Sequence, residues 1–486
     1  MTENRIFPVS WFFYVVFLVF LAAACKQQPD RPNLIFVFAD EWRGQATGYM
    51  GDPNAHTPNL DALASRGIIF TTAVSGCPVC SPYRASLLTG QFPLTHGVFY
   101  NDKPLRTNSP TIAEVFKKAG YQTAYIGKWH LNGHQKGQSR ADGRRSPVPA
   151  ERRFGFDFWK VCECTHDYNH SIYFDENDSL HIWQDYDAIA QTRTAQNYIE
   201  AHGREKPFIL FISWGPPHDP YDSAPESYRA RYSNTDKIQL RPNVPQAHTD
   251  IAREKLSGYY AHIAALDDCL GDLLQTISDS GLEENTIFVF TADHGDMLYS
   301  HGLTKKQKPW DESILVPFVL RFPPIQRTTG RTISTPINTP DIMPTLLGLC
   351  GLEVPATVEG EDLSDLLKGS QPDSDRAVLL SCPVPFHQWN YRIGGKEYRG
   401  IRTKRYTYVC DLQGPWLLFD NLTDPYQTAN LVNKTEQSSL QTKLEKILTE
   451  KLNERNDQFS PGMVYMKKWD YDWDEGDAPD VNPLIY

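Results

Sequence analysis

A chain of 486 residues is long enough for one large domain and a smaller companion. Hydrophobic residues at 40% and aromatics at 12% describe a packed globular protein and exclude a disordered one. Lys+Arg 48 against Asp+Glu 59 leaves a net charge of −11, which excludes nucleic acid as the main partner, although a local basic pocket remains able to hold small or polymeric anions.

The first element is a leader over residues 1–25, with a polar start and an apolar run from Trp11 to Ala24. That run falls short of the roughly 20 residues of a comfortable membrane span and suits the core of a signal peptide. Ala22, Ala23 and Ala24 directly before Cys25 resemble a bacterial lipobox, in which Cys25 is lipidated and becomes the mature N-terminus. Ala22 stands where such boxes prefer Leu, so ordinary secretion stays open beside lipidation, with a retained membrane anchor as a third reading. Both main readings mean export, to the periplasm or the cell surface of a bacterium.

Four short apolar runs follow, each ending in polar residues: "NLIFVFAD" (Asn33–Asp40), "GYQTAYIGK" (Gly120–Lys128), "FILFISW" (Phe208–Trp214) and "TIFVFTADHGD" (Thr286–Asp296). Continuous apolar strands fit a sheet covered on both faces. Helical patterns separate them. "TPNLDALASRG" (Thr57–Gly67) and "SPTIAEVFKKAG" (Ser109–Gly120) open on capping residues and close on glycine. Between Arg253 and Gly281, Leu256, Tyr260, Ile263, Leu266, Leu270, Leu273 and Ile277 recur at helical spacing. Past about Gly369 come short alternating strands, "EYRGIRTKRYTYVCD" and "WLLFDNLTDP", then the helix-like Ser438–Asn456. The expected fold is therefore α/β: a main domain over residues 31–369 and a smaller C-terminal subdomain, 370–486, of antiparallel sheet plus helix.

In open α/β sheets, ligands bind beyond the carboxyl ends of the strands. Those ends carry Asp40-Glu41, Lys128 with His130, His218, and Asp293-His294. Two acidic pairs half a chain apart are suited to converge on one cation, and oxygen donors with one imidazole accept Ca²⁺, Mg²⁺ or Mn²⁺. "SGCPVCSPYRASLLTG" (Ser75–Gly90) places Cys77 and Cys80 three apart, and by spacing alone either is a redox thiol, a zinc ligand, a disulfide half or a catalytic group. The other cysteines are too sparse for a disulfide scaffold; Cys269, Cys350 and Cys410 read as packing residues, and Cys162 and Cys164 carry no assigned chemistry.

Six blocks in order, with a further phrase in the subdomain, carry a resemblance. "CSPYRASLLTG" resembles the Cys-x-Pro-x-Arg signature of the formylglycine-dependent sulfatases, a family of the alkaline-phosphatase superfamily. "HTPNLDALASRGIIFTTAV" before it, and "YIGKWHL", "PPHDPY", "TADHGD" and "KQKPWDESILVP" after it, are similar to further blocks, as is "LLFDNLTDPYQTANL" in the subdomain. The likeness spans Pro32 to Leu431. It implies a central mixed, mostly parallel sheet flanked by helices, and it selects Cys80, from which Pro82 and Arg84 are spaced, as the residue converted to Cα-formylglycine (3-oxoalanine) by a formylglycine-generating maturation enzyme.

The same resemblance implies the remaining roles. Asp40, Glu41, Asp293 and His294, together with the modified Cys80, would hold one divalent ion, Ca²⁺ first and Mg²⁺ second. The family commonly has Asp where Glu41 stands and Asn where His294 stands, which leaves Glu41 the least secure ligand. Arg84 would hold the formylglycine hydrate, and Lys128 and Lys306 the sulfate, with Lys308 the fallback for Lys306. His130 would take a proton from the second hydroxyl, and His218 would protonate the leaving alcohol. A hydrated aldehyde offers two hydroxyls on one carbon, so one attacks sulfur and the other expels sulfate without a second attack at sulfur. The helix opened by Cys80 would aim its N-terminal amides at the same anion.

The implied substrate is a sulfated poly- or oligosaccharide. His166 and His170, in "CECTHDYNHSIYF", and His387 and Arg392, in "PVPFHQWNYR", mix polar groups with aromatics as sugar-binding loops do, and are the candidates for contact with the sugar. Two other classes of function remain in view: a phosphomonoesterase or phosphodiesterase of the same superfamily, and a non-catalytic carbohydrate-binding lipoprotein.

Overall fold

A computed structural model describes residues 31–473 apart from 107, 135–137, 203–205, 327–329 and 372–374. The leader and its Cys25 lie outside the described residues. In chain order, the strands of the main domain are β1 (Asn33–Asp40), β2 (Ile68–Phe70), β3 (Ala73–Val74), β4 (Gln122–Lys128), β5 (Phe158–Cys162), β6 (Ile172–Phe174), β7 (Leu180–Ile182), β8 (Phe208–Pro217), β9 (Thr286–Ala292), β10 (Phe318–Arg321), β11 (Arg331–Ile333) and β12 (Ile337–Asn338). Ten of them form one sheet in the order β11-β2-β10-β9-β1-β8-β4-β5-β6-β7. The strands β9, β1, β8, β4 and β5 run parallel, while β10 and the β6–β7 ribbon pair antiparallel. The sheet is mixed and mostly parallel.

All of β1, β8 and β9 is buried, which is why their apolar runs are continuous and not alternating. Helices supply the cover. The long Thr249–Asp279 helix buries Leu256, Tyr260, Ile263, Leu266, Leu270, Leu273 and Ile277, the stripe its spacing predicts. Trp129 packs edge-on against Tyr125, Phe156 and Trp159 around the end of β4, and Phe211 packs edge-on against Phe156. Among the described residues no helix is long and apolar enough to cross a membrane.

Because β9, β1, β8 and β4 are parallel neighbours, their carboxyl ends meet at one edge. Ala39 lies opposite both Trp214 and Ala292, and the register then shifts so that Asp40 meets Pro217. One glycine sets how tightly the edge closes. Gly127 has φ of +103°, and a Cβ there would sit 2.1 Å from the Ser213 carbonyl oxygen, so only glycine lets β4 deliver Lys128 this close to β8.

The smaller unit is an antiparallel sheet of β13 (Ala377–Cys382), β14 (Tyr398–Thr403), β15 (Tyr406–Asp411) and β16 (Gly414–Asp420), paired in chain order. The Ser438–Glu454 helix packs Leu444 and Leu448 against Leu379, Ile401, Tyr408 and Leu418 on one face. The unit is fastened to the main domain at the residues around the site. Ser381 N–H donates to the Gly76 carbonyl at 2.7 Å, and the buried Arg402 pairs with Asp311 at 3.0 Å.

Candidate functional site

Cys80 opens a fully buried helix, Cys80–Thr89, which Gly90 ends in the left-handed conformation. Its thiol is the centre of the strand-end edge: Sγ lies 3.2 Å from His294 Nε2, 3.2 Å from Lys306 Nζ and 3.7 Å from Asp40 Oδ1. The helix start differs from expectation. Ser81 N–H is taken by Asn101 Oδ1, Tyr83 N–H by the Val79 carbonyl, and Pro82 has none, so an anion here is met mainly by side chains.

Each carboxylate divides its two oxygens between two tasks. Asp40 Oδ2 accepts from Lys128 Nζ at 2.5 Å and Arg84 Nη2 at 3.3 Å, while Oδ1 turns to Cys80 and His294. Asp293 Oδ2 accepts from Arg84 at 3.3 Å, while Oδ1 takes the backbone N–H of Glu41 and of His294. Arg84 is locked by its other nitrogen, which donates to the Lys128 carbonyl at 2.7 Å and to Ser213 Oγ at 2.6 Å, and it lies over the Phe38 ring. Burial pushes the Asp40 carboxyl up, but Lys128, His218, Lys306 and Arg84 together hold it well below the usual carboxylate range.

The donor set suits a divalent cation. Asp40, Cys80, Asp293 and His294 are all buried and offer one atom each within 4.8 Å of one another. His294 Nδ1 donates to the Gly295 carbonyl at 3.0 Å, which leaves the Nε2 lone pair facing the two carboxylates, 3.6 Å from an oxygen of each. Hard oxygen donors with a single imidazole fit Ca²⁺ or Mg²⁺. Glu41 falls in a second buried group, with Asp40 and His218, whose ligand atoms also lie within 4.8 Å of one another. Its backbone is left-handed, φ of +70°, and its Oε2 is 3.2 Å from His218 Nε2. Both its oxygens are buried and lack a hydrogen bond, and burial pushes its carboxyl up to about 8.

Lys306 and His218 form the wall facing Asp40. Lys306 Nζ reaches both Cys80 Sγ and His218 Nε2, the latter at 2.9 Å. Lys308 is turned away: its Nζ donates to the Lys306 carbonyl at 2.8 Å, and burial brings its amine down to about 7. His218 Nδ1 has two acceptors, the Asp219 carbonyl at 3.0 Å and Asp219 Oδ1 at 2.9 Å, so Nδ1 carries the proton and Nε2 faces Lys306. Burial, then the charges of Lys306 and His166, hold the His218 ring well below the usual histidine range.

His130 lies on the other side of the helix start. Its carbonyl accepts from Ser81 Oγ, its Nε2 pairs with Asp102 Oδ1 at 3.0 Å, and its Nδ1 is buried without a hydrogen bond. Of the candidate sugar contacts, His166 is at the site, stacked on His218 with ring centroids 4.4 Å apart. His387 reaches it indirectly, through Arg140, which also holds Asp102. His170 is exposed beside Asp167, and Arg392 is exposed on the Tyr391–Ile393 turn. Asp102, Asp219, Ser213 and Lys305, whose Nζ donates to Asp219 Oδ1 at 2.5 Å, were not foreseen. Asp219 had a signal, its place directly after His218; Asp102 lies in a loop, "YNDKP", with none.

Comparison with known proteins gives the family. The sulfatase family profile matches residues 32–352, and the profile for the C-terminal part of N-sulphoglucosamine sulphohydrolase matches residues 300–454. An ulvan-active sulfatase of Formosa agariphila is 45% identical over 453 residues, covering 92% of this chain and 86% of that protein. An endo-4-O-sulfatase of Bacteroides thetaiotaomicron is 30% identical over 483 residues, covering 85% and 91%. A solved structure from Bacteroides fragilis that bears the sulfatase name yidJ superposes with a TM-score of 0.80 at 30% identity, covering 90% of this chain and 98% of its own.

Proposed function

The chain belongs to the sulfatase family, and from that premise we propose that it removes sulfate from a sulfated polysaccharide with a formylglycine made from Cys80 and one divalent cation. The observation that carries the reading is one buried Sγ met by Asp40, His294 and Lys306, with Arg84 and Lys128 bonded to Asp40 and His218 to Lys306, drawn from four strand ends, one helix start and the loop after β9. The polysaccharide substrate is supported by the relatives named for ulvan and for endo action on 4-O-sulfate. Export is supported by the Trp11–Ala24 run before Cys25.

The chain's own groups divide the work. Lys128 and Lys306 neutralise sulfate oxygens, and the low-dielectric site makes each contact worth more than it would be in water. Arg84, bridging Asp40 and Asp293, fixes the position from which the group at residue 80 reacts. The aldehyde hydrate supplies paired hydroxyls on one carbon, one to react with sulfur and one to lose the proton that releases sulfate. A cation on Asp40, Asp293 and His294 would supply Lewis acidity, lowering the pKa of a hydroxyl at residue 80. His218 must hold a proton on Nε2 to deliver it to the leaving alcohol. Lys306 opposes that proton in the free site, and a bound sulfate, by taking up the Lys306 charge, favours it. His130, with its open Nδ1, is the base on the opposite side.

The test is to produce the protein with and without a formylglycine-generating enzyme and to measure sulfate release from an aryl sulfate and from sulfated algal polysaccharides. Activity is expected only after maturation, with loss of the Cys80 thiol visible by peptide mass spectrometry, and C80A should be inactive but folded. Faster turnover of phosphate esters than of any sulfate ester, or activity retained in C80A, would overturn the reading.

A further inference from the structure

Asp102 is one of the most heavily engaged carboxylates among the described residues, and none of the roles above uses it. It is 2% exposed and sits at φ of +58°, in a loop whose preceding residue, Asn101, is bonded to the helix that Cys80 opens. Oδ1 accepts from His130 Nε2 at 3.0 Å and Arg144 Nε at 2.8 Å; Oδ2 accepts from Arg140 Nε at 2.5 Å and Arg144 Nη2 at 3.0 Å. Both arginines come from one short segment, Arg140–Arg144, and Arg140 also touches His387 from the C-terminal unit. Burial alone would push this carboxyl up; His130 and Arg144 hold it well below its ordinary range, so it is an anion.

A carboxylate can only accept. His130 Nε2 is therefore the protonated nitrogen of the neutral ring, and the lone pair falls on Nδ1, the atom left buried and unpartnered. We propose that Asp102 is the positioning residue for His130, holding it in the Nε2–H tautomer so that Nδ1 is free to take a proton from the group at residue 80, with Arg140 and Arg144 clamping the carboxylate in place. The inference rests on the formylglycine reading for its chemistry. In that step Nδ1 takes the proton of the unsulfated hydroxyl, its oxygen closes to a carbonyl, and the carbon–oxygen bond to sulfate breaks with its electron pair leaving on sulfate. No other reactant is needed. The two arginines explain why one carboxylate suffices: without them, its second oxygen would be buried with nothing to satisfy it.

The tautomer is measurable without turnover. In ¹⁵N-histidine protein purified unmodified, with the Cys80 thiol intact, the His130 signals are assigned by their loss in H130Q. At a pH where the ring is neutral, wild type should show the Nε2–H form. In D102N, two arginine donors, Arg140 Nε and Arg144 Nη2, hold the Oδ2 side against one, Arg144 Nε, at Oδ1, so the carboxamide nitrogen falls toward His130 with loss of the Arg144 Nε bond and should turn the ring to the Nδ1–H form. In matured enzyme, D102N should lower kcat on an aryl sulfate by about 10²-fold. Because only the second half of the cycle is slowed, KM should fall with it and kcat/KM should be kept, which damage to the fold would not produce. An Nδ1–H ring in wild type overturns the proposal even where D102N does not fold. So does a D102N protein with an unchanged tautomer, or one whose kcat and kcat/KM fall equally. Inactivity of matured wild type toward every sulfate ester would sink the functional reading instead, and would leave the tautomer result standing.

Discussion

Lys306 and Lys308 are both buried and both cationic in sequence, yet only one faces the chemistry. Lys306 is held charged: burial opposes this, but Cys80, Glu41, Asp40 and Asp293 raise its amine well above the usual lysine range. Lys308 instead braces the Lys306 carbonyl and lies over the Trp389 ring. K306A should therefore lower kcat on an aryl sulfate by roughly 10²- to 10³-fold, the cost of removing one preorganised donor to a developing charge. K308M should lower it less than about 10-fold while reducing thermal stability, since it loses a brace and not a ligand. Steady-state kinetics beside a melting curve separate the two, and equal kinetic losses would return Lys308 to the sulfate pocket. Most of these residues were legible because motif spacing and strand ends pointed to the same positions, as at Asp40, Lys128, His218 and Asp293. Glu41 and Asp102 were harder to place, each for its own physical reason. Glu41 leaves the end of β1 at positive φ, which turns its side chain out of the strand's alternation, and Asp102 sits in a loop that carries no periodic pattern.

At the scale of elements, the site exists because parallel strands end together. The four apolar runs with polar tails were enough to read this edge, since buried parallel strands carry their polar residues only where they leave the sheet. The insertion between β5 and β8 was not legible in the same way. Its strands β6 and β7 are three residues each, partly exposed, and leave Leu180 and Ile182 open to solvent, so no run of apolar residues announces them. How closely two strands approach is likewise a matter of one residue. A methyl group at Gly127 meets the Ser213 carbonyl and forces a non-glycine residue to φ of +103°. G127A is expected to cost about 2–4 kcal/mol, combining backbone strain with overpacking. It should also lower activity in the fraction that folds, because Lys128 and the Arg84 contacts to Lys128 and Ser213 lie at that junction. A variant with wild-type denaturation midpoint and wild-type kcat would show that β4 and β8 can part without consequence.

At the scale of the whole molecule, the metal donors are also ties between distant parts of the chain. Asp40 ends β1, Asp293 and His294 follow β9, and Cys80 opens the helix packed across that edge, so one cation joins segments that are neighbours only in the fold. Arg84 and Lys128 already offset much of the carboxylate charge, which is why the protein should remain folded without metal. A cation that binds only the folded state still adds stability by mass action, about 2.7 kcal/mol at a hundredfold excess over Kd. For a chain of this length, with an unfolding entropy of about 2 cal/mol/K per residue, that corresponds to a Tm increase of roughly 3 °C. Chelation followed by dialysis should lower Tm by about this amount, and Ca²⁺ or Mg²⁺ should restore it in the unmodified protein as well as in the matured enzyme. D293N should respond more weakly to both treatments, because it removes one carboxylate charge from the donor set while keeping the volume. A Tm that ignores chelation in the wild type, with no metal found by elemental analysis, would mean that Arg84 and Lys128 alone balance the two carboxylates and that the strand ends converge on no ion.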